Sequence, residues 1–186
     1  MPSPKEQPTG RDDDSDAELV AATRAGDTRA LTALYGRYGA RLMAVAYRLL
    51  FSAQDAEDVL HDVFVGLPEA LRRYDERGTL EAWLKRVTAR VALTRLRQET
   101  AGRQVSIDSA TLPTPRSVDH EAAITLRSAV AALPASLRSV LVLKEIEGFT
   151  HAEIGEMLGI STGASEVRLH RALRLLRTVL SEGEPL

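Results

Sequence analysis

The sequence predicts an all-α protein built as two small helical domains joined by a flexible linker. Three observations carry this reading. From Ser15 to Arg97 the apolar residues recur with a helical period and never alternate in the manner of a strand. Residues 100–119, with Pro113, Pro115 and many Ser and Thr, have no period at all. A second helical period then runs on to about residue 182. The length, 186 residues, suffices for one ordinary domain or two small ones. With 44% apolar and only 4% aromatic residues, the core must be made of Leu, Val, Ile and Ala.

Residues 1–15 contain Pro2, Pro4, Pro8, Gly10 and the acidic run Asp12-Asp13-Asp14, with almost nothing to bury, and read as a disordered acidic tail. Helices follow near 16–25, 28–51, 53–72 and 79–98, separated by Gly26-Asp27, Phe51-Ser52 and Arg77-Gly78-Thr79. Ser52 with Asp55 resembles a capping box, and Thr79 can cap the fourth helix. Pro68 inside the third helix is expected to kink or restart it near Gly66. After the linker, helices are expected near 120–133, 135–147, 150–158 and 163–181.

Composition excludes several chemistries. The chain has no cysteine, so it has no disulfide framework, thiolate zinc site or cysteine nucleophile. No apolar run approaches the ~20 residues of a membrane span, and the polar, acidic start is no secretory signal. A cytoplasmic protein without membrane insertion is expected. Net charge is −2, but its distribution matters more. Lys85, Arg86, Arg90, Arg95 and Arg97 form one basic segment with no acid among them, and Arg168, Arg171, Arg174 and Arg177 recur at helical spacing in another.

Three helical stripes bear on function. On the third helix, Ala56, Val59, Leu60, Val63, Leu67 and Leu71 share one face. Asp55, Asp58, Asp62 and Glu69 fall within a stripe roughly 60° wide on another. That stripe is either a solvated acidic face or a docking strip for a basic partner. A metal site at Glu57, Asp58 and His61 would need a second acid-x-x-His motif, which the sequence lacks. On the fourth helix, Leu80, Trp83, Leu84, Val87 and Val91 form the inner face, with Trp83 assigned chiefly to the core. Arg86, Arg90 and Arg97 lie within roughly 40° of one another. Three guanidiniums in line suit successive phosphates, or they pair with Asp75, Glu76 and Glu81 on the same surface. The third stripe begins at Thr150, which with Glu153 makes a capping box. Ile154 and Leu158 pack one turn apart, Gly159 suits a left-handed helix end, and a second helix follows with Leu169, Ala172 and Leu176 inward. A short helix, a tight turn and a second helix bearing arginines form a helix-turn-helix pattern.

With these residues in view a family resemblance emerges. Asp55-Ala56-Glu57-Asp58-Val59 followed by Asp62-Val63-Phe64 resembles the polymerase-binding segment of bacterial sigma factors. Trp83-Leu84-Lys85-Arg86-Val87 through Arg95-Leu96-Arg97 resembles their promoter-melting helix. Leu133-Pro134, Arg138, Glu147-Gly148-Phe149-Thr150, Glu153-Ile154 and Arg168-Leu169-His170-Arg171-Ala172 resemble their C-terminal helix-turn-helix domain. The order and short length are similar to the extracytoplasmic function (ECF) subfamily, which keeps only sigma regions 2 and 4. The resemblance spans about residues 17–182.

It implies a transcription initiation factor, not an enzyme, that needs no cofactor. Such a factor binds the β and β′ subunits of core RNA polymerase, directs it to promoter DNA and assists melting. The implied layout is a tail over 1–15, sigma region 2 over 16–99, a linker over 100–119 and sigma region 4 over 120–182. Core binding would fall to Asp55, Glu57, Asp58, His61, Asp62, Phe64 and Val65. Minus-10 contacts would fall to Tyr74, Arg77, Lys85, Arg86, Arg90 and Arg97. Minus-35 contacts would fall to Thr162, Glu166, Val167, Arg168, His170, Arg171 and Arg174. An anti-sigma factor is a further partner the family admits; target promoters and inducing signal are not legible. Two departures stand out. Arg90 and Thr94 replace the Asn and Asp common on the melting helix, and Ala164-Ser165-Glu166-Val167 replaces Thr-Val-Lys-Ser in the recognition helix. Ser165 occupies a normally apolar, inward position, so looser packing is expected there. The main alternative is a helix-turn-helix regulator that does not replace a sigma subunit, which would leave the acidic stripe without a purpose; a third is a helical protein–protein adaptor.

Overall fold

A computed structural model describes residues 15–75, 78–105 and 126–182. Among the described residues every regular element is helical. The acidic tail up to residue 14, Glu76, Arg77 and the linker beyond Val105 lie outside them.

The N-terminal bundle comprises α1 (Asp16–Arg24), α2 (Thr28–Leu50), α3 (Ala53–Leu71) and α4 (Leu80–Val105). Its starts are set by short polar side chains. Ser15, read as part of the tail, is instead the N-cap of α1: its hydroxyl accepts from Glu18 N–H at 3.3 Å, and its own N–H donates to Glu18 Oε2 at 2.8 Å. Asp27 caps α2 and Ser52 caps α3. Helix α2 is the hub. Leu34, Tyr38, Leu42, Val45, Ala46 and Leu49 are buried along one face, and α1, α3 and α4 all pack on it. The Tyr38 hydroxyl donates to Asp16 Oδ2 at 2.5 Å, and Arg37 meets Asp16 at 2.8 Å, which ties α1 to α2.

Helix α3 buries the face read from its period, Ala56, Val59, Leu60, Val63, Leu67 and Leu71. It runs unbroken through Pro68, contrary to the expected restart near Gly66. Proline forfeits one hydrogen bond and crowds the preceding turn, but Leu67 and Leu71, both wholly buried, hold the backbone on either side. The chain leaving α3 is anchored by Arg24, whose guanidinium donates to Leu71 O at 2.9 Å and Tyr74 O at 2.6 Å. Thr79 then caps α4 by accepting from Ala82 N–H at 3.2 Å. Helix α4 outruns its expected end at residue 98 and takes residues 100–105 from the expected linker. Gly102 costs only about 1 kcal/mol in a helix, and Glu99, Ala101, Arg103 and Gln104 around it favour continuation.

The C-terminal bundle comprises α5 (Leu126–Ala132), α6 (Ala135–Leu141), α7 (His151–Leu158) and α8 (Thr162–Glu182). The helix expected over 135–147 changes character halfway: α6 passes into a π-helical turn, Val142–Ile146, closed by Glu147 N–H donating to Val142 O at 3.0 Å. Helix α8 packs across α5, α6 and α7, burying Ala172 and Leu176.

Leu42, fully buried at the centre of α2, and Val65, 66% exposed on α3, give a direct comparison. Leu42→Ala is expected to cost about 2–5 kcal/mol through lost burial and an unfilled cavity, and Val65→Ala less than about 0.5 kcal/mol, measured by chemical denaturation of each variant.

Candidate functional site

The acidic stripe of α3 divides into two environments. Asp55 and Asp58 face α4, where a single arginine bridges them. Arg95 Nε and Nη2 donate to Asp55 Oδ1 at 2.9 and 2.6 Å, and Nη2 also donates to Asp58 Oδ2 at 2.7 Å. The Ser52 hydroxyl first, and then the Arg95 guanidinium, hold the Asp55 carboxyl below the usual carboxylate range. Asp62 stands exposed beside His61, whose Nδ1 lies 3.9 Å from its carboxylate. Glu57, His61 and Val65 border a largely apolar groove whose other walls are Leu31, Tyr35, Leu60 and Phe64. Phe64, expected to offer apolar surface beside Val65, is itself buried. Its ring stands edge-on to Tyr35 at 4.9 Å, so Tyr35 and Val65 present the apolar surface instead. Tyr35 and Leu31 escaped the sequence reading, although their i,i+4 spacing is legible; by period they continue the apolar face of α2, and the exposure of Tyr35 beside the groove comes from what lies opposite. No comparable sign links Arg95 to its acids, because that pairing is tertiary.

On α4 the three aligned arginines also differ. Arg90 and Arg97 are exposed, and Arg97 donates to Thr94 Oγ1 at 3.3 Å. Arg86 pairs with Glu153 at the start of α7, not with the nearby acids the sequence offered. Lys85 takes Glu81 at 3.4 Å, and Arg41 reaches the same carboxylate at 3.3 Å. Tyr74 is buried with its ring 5.1 Å from Trp83, and its hydroxyl donates to Gly78 O at 3.3 Å. Tyr74 therefore shapes the loop before α4 and does not project from it. Trp83 is half-buried against the core, as its spacing suggests. Arg77 lies outside the described residues.

The C-terminal motif folds as its spacing predicts. Thr150 Oγ1 accepts from Glu153 N–H at 3.2 Å, and Glu153 Oε2 accepts from Thr150 N–H at 2.8 Å. That backbone N–H is the main reason the Glu153 carboxyl sits below its ordinary range, with the Thr150 hydroxyl and Arg86 adding to it. Gly159 ends α7 at φ +67°. Gly155 is needed for a different reason: a Cβ there would lie 2.7 Å from Ile160 O, so only glycine lets the turn fold back on α7. Beyond the turn, Thr162, Glu166, Val167, His170, Arg171 and Arg174 are exposed, while Arg168 is half-buried. Five of these, Glu166, Val167, His170, Arg171 and Arg174, line one shallow concavity on α8. An exposed helix face with two arginines and adjacent hydrogen-bonding groups can address both phosphates and base edges.

Ser165 corrects an expectation. It is fully buried, but Oγ lies 2.9 Å from His151 Nδ1, so the polar atom is matched by a hydrogen bond that joins the first turn of α7 to the first turn of α8. The packing is specified there, not loosened. His151→Ala strands a buried hydroxyl and should cost about 1–3 kcal/mol. Removing the hydroxyl as well, with Ser165→Ala in the same chain, should return part of that loss. A double-mutant cycle by thermal denaturation reads the coupling, and strict additivity would show that the contact carries no energy.

Comparison with known proteins places the chain in a family. Residues 34–102 match the model of Sigma-70 region 2, and residues 124–176 match that of Sigma-70, region 4. The chain is 30% identical over 190 residues to the ECF RNA polymerase sigma factor SigE of Mycolicibacterium smegmatis, covering 96% of this chain and 70% of that protein. It is 30% identical over 168 residues to the RNA polymerase sigma factor CarQ of Myxococcus xanthus, covering 87% and 95%. Among solved structures, CnrH in complex with the cytosolic domain of CnrY aligns with a TM-score of 0.57 at 26% identity, over 92% of this chain and all of that one. No helix among the described residues is long and apolar enough to cross a membrane. Two region models in order, relatives matched along most of their length and an all-helical fold establish that this chain belongs to the ECF RNA polymerase sigma factors, transcription initiation factors that direct polymerase to promoters and are not enzymes.

Proposed function

We propose that this sigma factor divides its work by face. The outer side of α3 docks on core polymerase, α4 meets the minus-10 element, and the exposed row of α8 reads the minus-35 element. The units are a region 2 domain beginning at residue 16 and a region 4 domain ending at residue 182, joined by the chain between them, and the site of action is the cytoplasm. The single observation that carries the reading is that one chain holds an acidic stripe on α3 beside a largely apolar groove between α2 and α3, and a separate arginine-bearing row on α8. A repressor would need only the second.

For docking, Glu57 supplies charge at the groove and Asp62 adds it from the adjoining side of α3, His61 offers hydrogen bonding, and Val65 with the Phe64–Tyr35 pair supplies apolar area. Asp55 and Asp58 act with Arg95 attached, so the strip they offer is partly neutralised before any partner arrives. Charged pairs at such an interface chiefly govern orientation and on-rate. The β′ subunit is the partner that the sigma family implies for this face. Asp62→Ala combined with Val65→Ala should weaken binding to purified core at least tenfold by fluorescence anisotropy while leaving the melting temperature unchanged. Unaltered core affinity would refute the docking assignment.

On α4, Lys85, Arg86, Arg90 and Arg97 are assigned to promoter phosphates, with the loop from Tyr74 through Arg77 to Thr79 beside the unstacked bases. On α8, Thr162, Val167 and Arg168 border the recognition row, and Arg171 and Arg174 take guanine edges or phosphates, since a guanidinium fork fits either. Glu166 is the unusual member. A carboxylate in an electronegative groove is unfavourable unless it accepts from cytosine N4 or holds an arginine in place. Glu166→Lys should raise affinity for DNA of any sequence and shift or relax the preferred minus-35 element, whereas Arg171→Ala should cost about 1–3 kcal/mol on the preferred site. Binding-site selection with the holoenzyme tests both, and an identical motif for wild type and Glu166→Lys would remove Glu166 from the readout. CnrH was solved with the cytosolic domain of CnrY, which supports a further protein partner, of the anti-sigma class, for this chain as well.

A further inference from the structure

An arginine that belongs to neither the docking face nor the DNA face holds the loop between them. Arg24 ends α1, and its guanidinium spans 47 and 50 residues of sequence to reach the chain leaving α3. Nε donates to Leu71 O at 2.9 Å and Nη2 to Tyr74 O at 2.6 Å. The last carbonyls of a helix have no partner within it, and a cation there also meets the negative end of the helix dipole. These contacts alone would make Arg24 a helix cap. The surroundings of Tyr74 give it a wider reach.

Helix α3 tightens as it ends. Arg72, Arg73 and Tyr74 donate in succession to Glu69 O, Ala70 O and Leu71 O, three bonds of the narrower 3₁₀ kind. The chain then turns toward α4 at Tyr74, which is held in three ways. Its carbonyl accepts from Arg24, its ring lies 5.1 Å from that of Trp83, and its hydroxyl donates to Gly78 O at 3.3 Å. One residue thus fixes both the entry and the exit of the loop. Gly78 takes φ +95°, a conformation glycine tolerates, and Thr79 caps α4 directly after it.

Arg24 itself stands on a fixed base. Helix α1 is fastened at its start by Asp16 to Tyr38 and Arg37 of α2, and it buries Leu19 and Val20 in between. The grip on the loop is therefore referred to the hub helix, not to α3 alone. A guanidinium fork sets two carbonyls in a defined relation, whereas an ammonium on a flexible stem holds either one without fixing the pair.

We propose that Arg24 is a positioning residue for minus-10 recognition: acting through Tyr74, it sets the span and angle between the ends of the loop and so governs which unstacked bases the loop accepts. This rests on the assignment of that loop to the unstacked bases made above. Where groups must be aligned, a misplacement of about 1 Å transmitted from a distance can cost on the order of a hundredfold. A residue that never touches DNA can by this route act on sequence choice.

The test uses the full-length chain with purified core polymerase, on a promoter fragment that the wild-type holoenzyme opens. Its minus-10 positions are randomised and its upstream element is held constant. Arg24→Lys keeps the charge and loses the fork; Arg24→Met keeps only the apolar stem. Selection of opened templates should show a broadened or shifted minus-10 preference in both variants, more so in Arg24→Met. Opening of the wild-type sequence, read by permanganate reactivity, should fall roughly tenfold in Arg24→Met, with core affinity by anisotropy equal to that of wild type in both. A preference identical to wild type in both variants overturns the proposal, as does a loss of opening that only follows loss of core binding or of folded protein. If Arg24→Met does not fold, Arg24→Lys decides alone: a shifted preference supports positioning, and an unchanged one reduces Arg24 to a helix cap. Asp75→Ala, Glu76→Ala and Arg77→Ala in one chain test the loop itself. An unchanged preference there removes the loop from base contact and both readings fall. A changed preference there, with none in the Arg24 variants, leaves the loop assignment standing and overturns the role of Arg24.

Discussion

The buried aliphatic face of α2 is the constraint on which the functional surfaces depend. Leu34, Leu42, Val45 and Leu49 exclude water completely, and neither α3 nor α4 could bury its own apolar stripe without lying against them. Once both helices are committed inward, the remaining faces have no choice of direction. The acidic stripe of α3 and the arginine row of α4 must point away from α2, onto adjoining surfaces of one small body. The polymerase-docking and DNA surfaces proposed for α3 and α4 take their geometry from that packing. Arg95, reaching from α4 to Asp55 and Asp58, then ties the two surfaces at the one edge where they meet.

The same logic orders the C-terminal bundle, with polar pins in place of a long apolar hub. The capping box of Thr150 and Glu153 fixes the start of α7, Gly155 lets the chain double back, and His151 with Ser165 joins the two first turns. These features all lie at the end of the motif from which α8 would enter a groove. Glu153 serves twice, as cap and as the partner of Arg86, so the fold of the motif and its contact with the other bundle share a side chain.

Much of this was legible in the residues, for reasons that can be named. Periodicity gave the inner faces of α3 and α8 because burial imposes a 3.6-residue repeat, and caps at Thr79, Thr150 and Gly159 follow from local backbone chemistry. Where local rules competed with tertiary packing, packing won. Pro68 did not break α3, because Leu67 and Leu71 were already committed to the core. The π-helical turn before Glu147 and the burial of Phe64 and Tyr74 were not visible, since each depends on what lies opposite. Side-chain partners were the least legible of all. Arg86 had three acids nearby in sequence and chose Glu153, 67 residues away; Ser165 looked like a packing fault until His151 came beside it.

The central claim is that both surfaces belong to one promoter-specificity subunit. It is tested most directly by run-off transcription with purified core polymerase over a library of genomic promoter fragments, with start sites mapped. The account predicts that adding this chain yields transcripts from a discrete set of fragments sharing spaced upstream elements, none of which core polymerase initiates alone. The same start sites, or none, with and without the chain would contradict it.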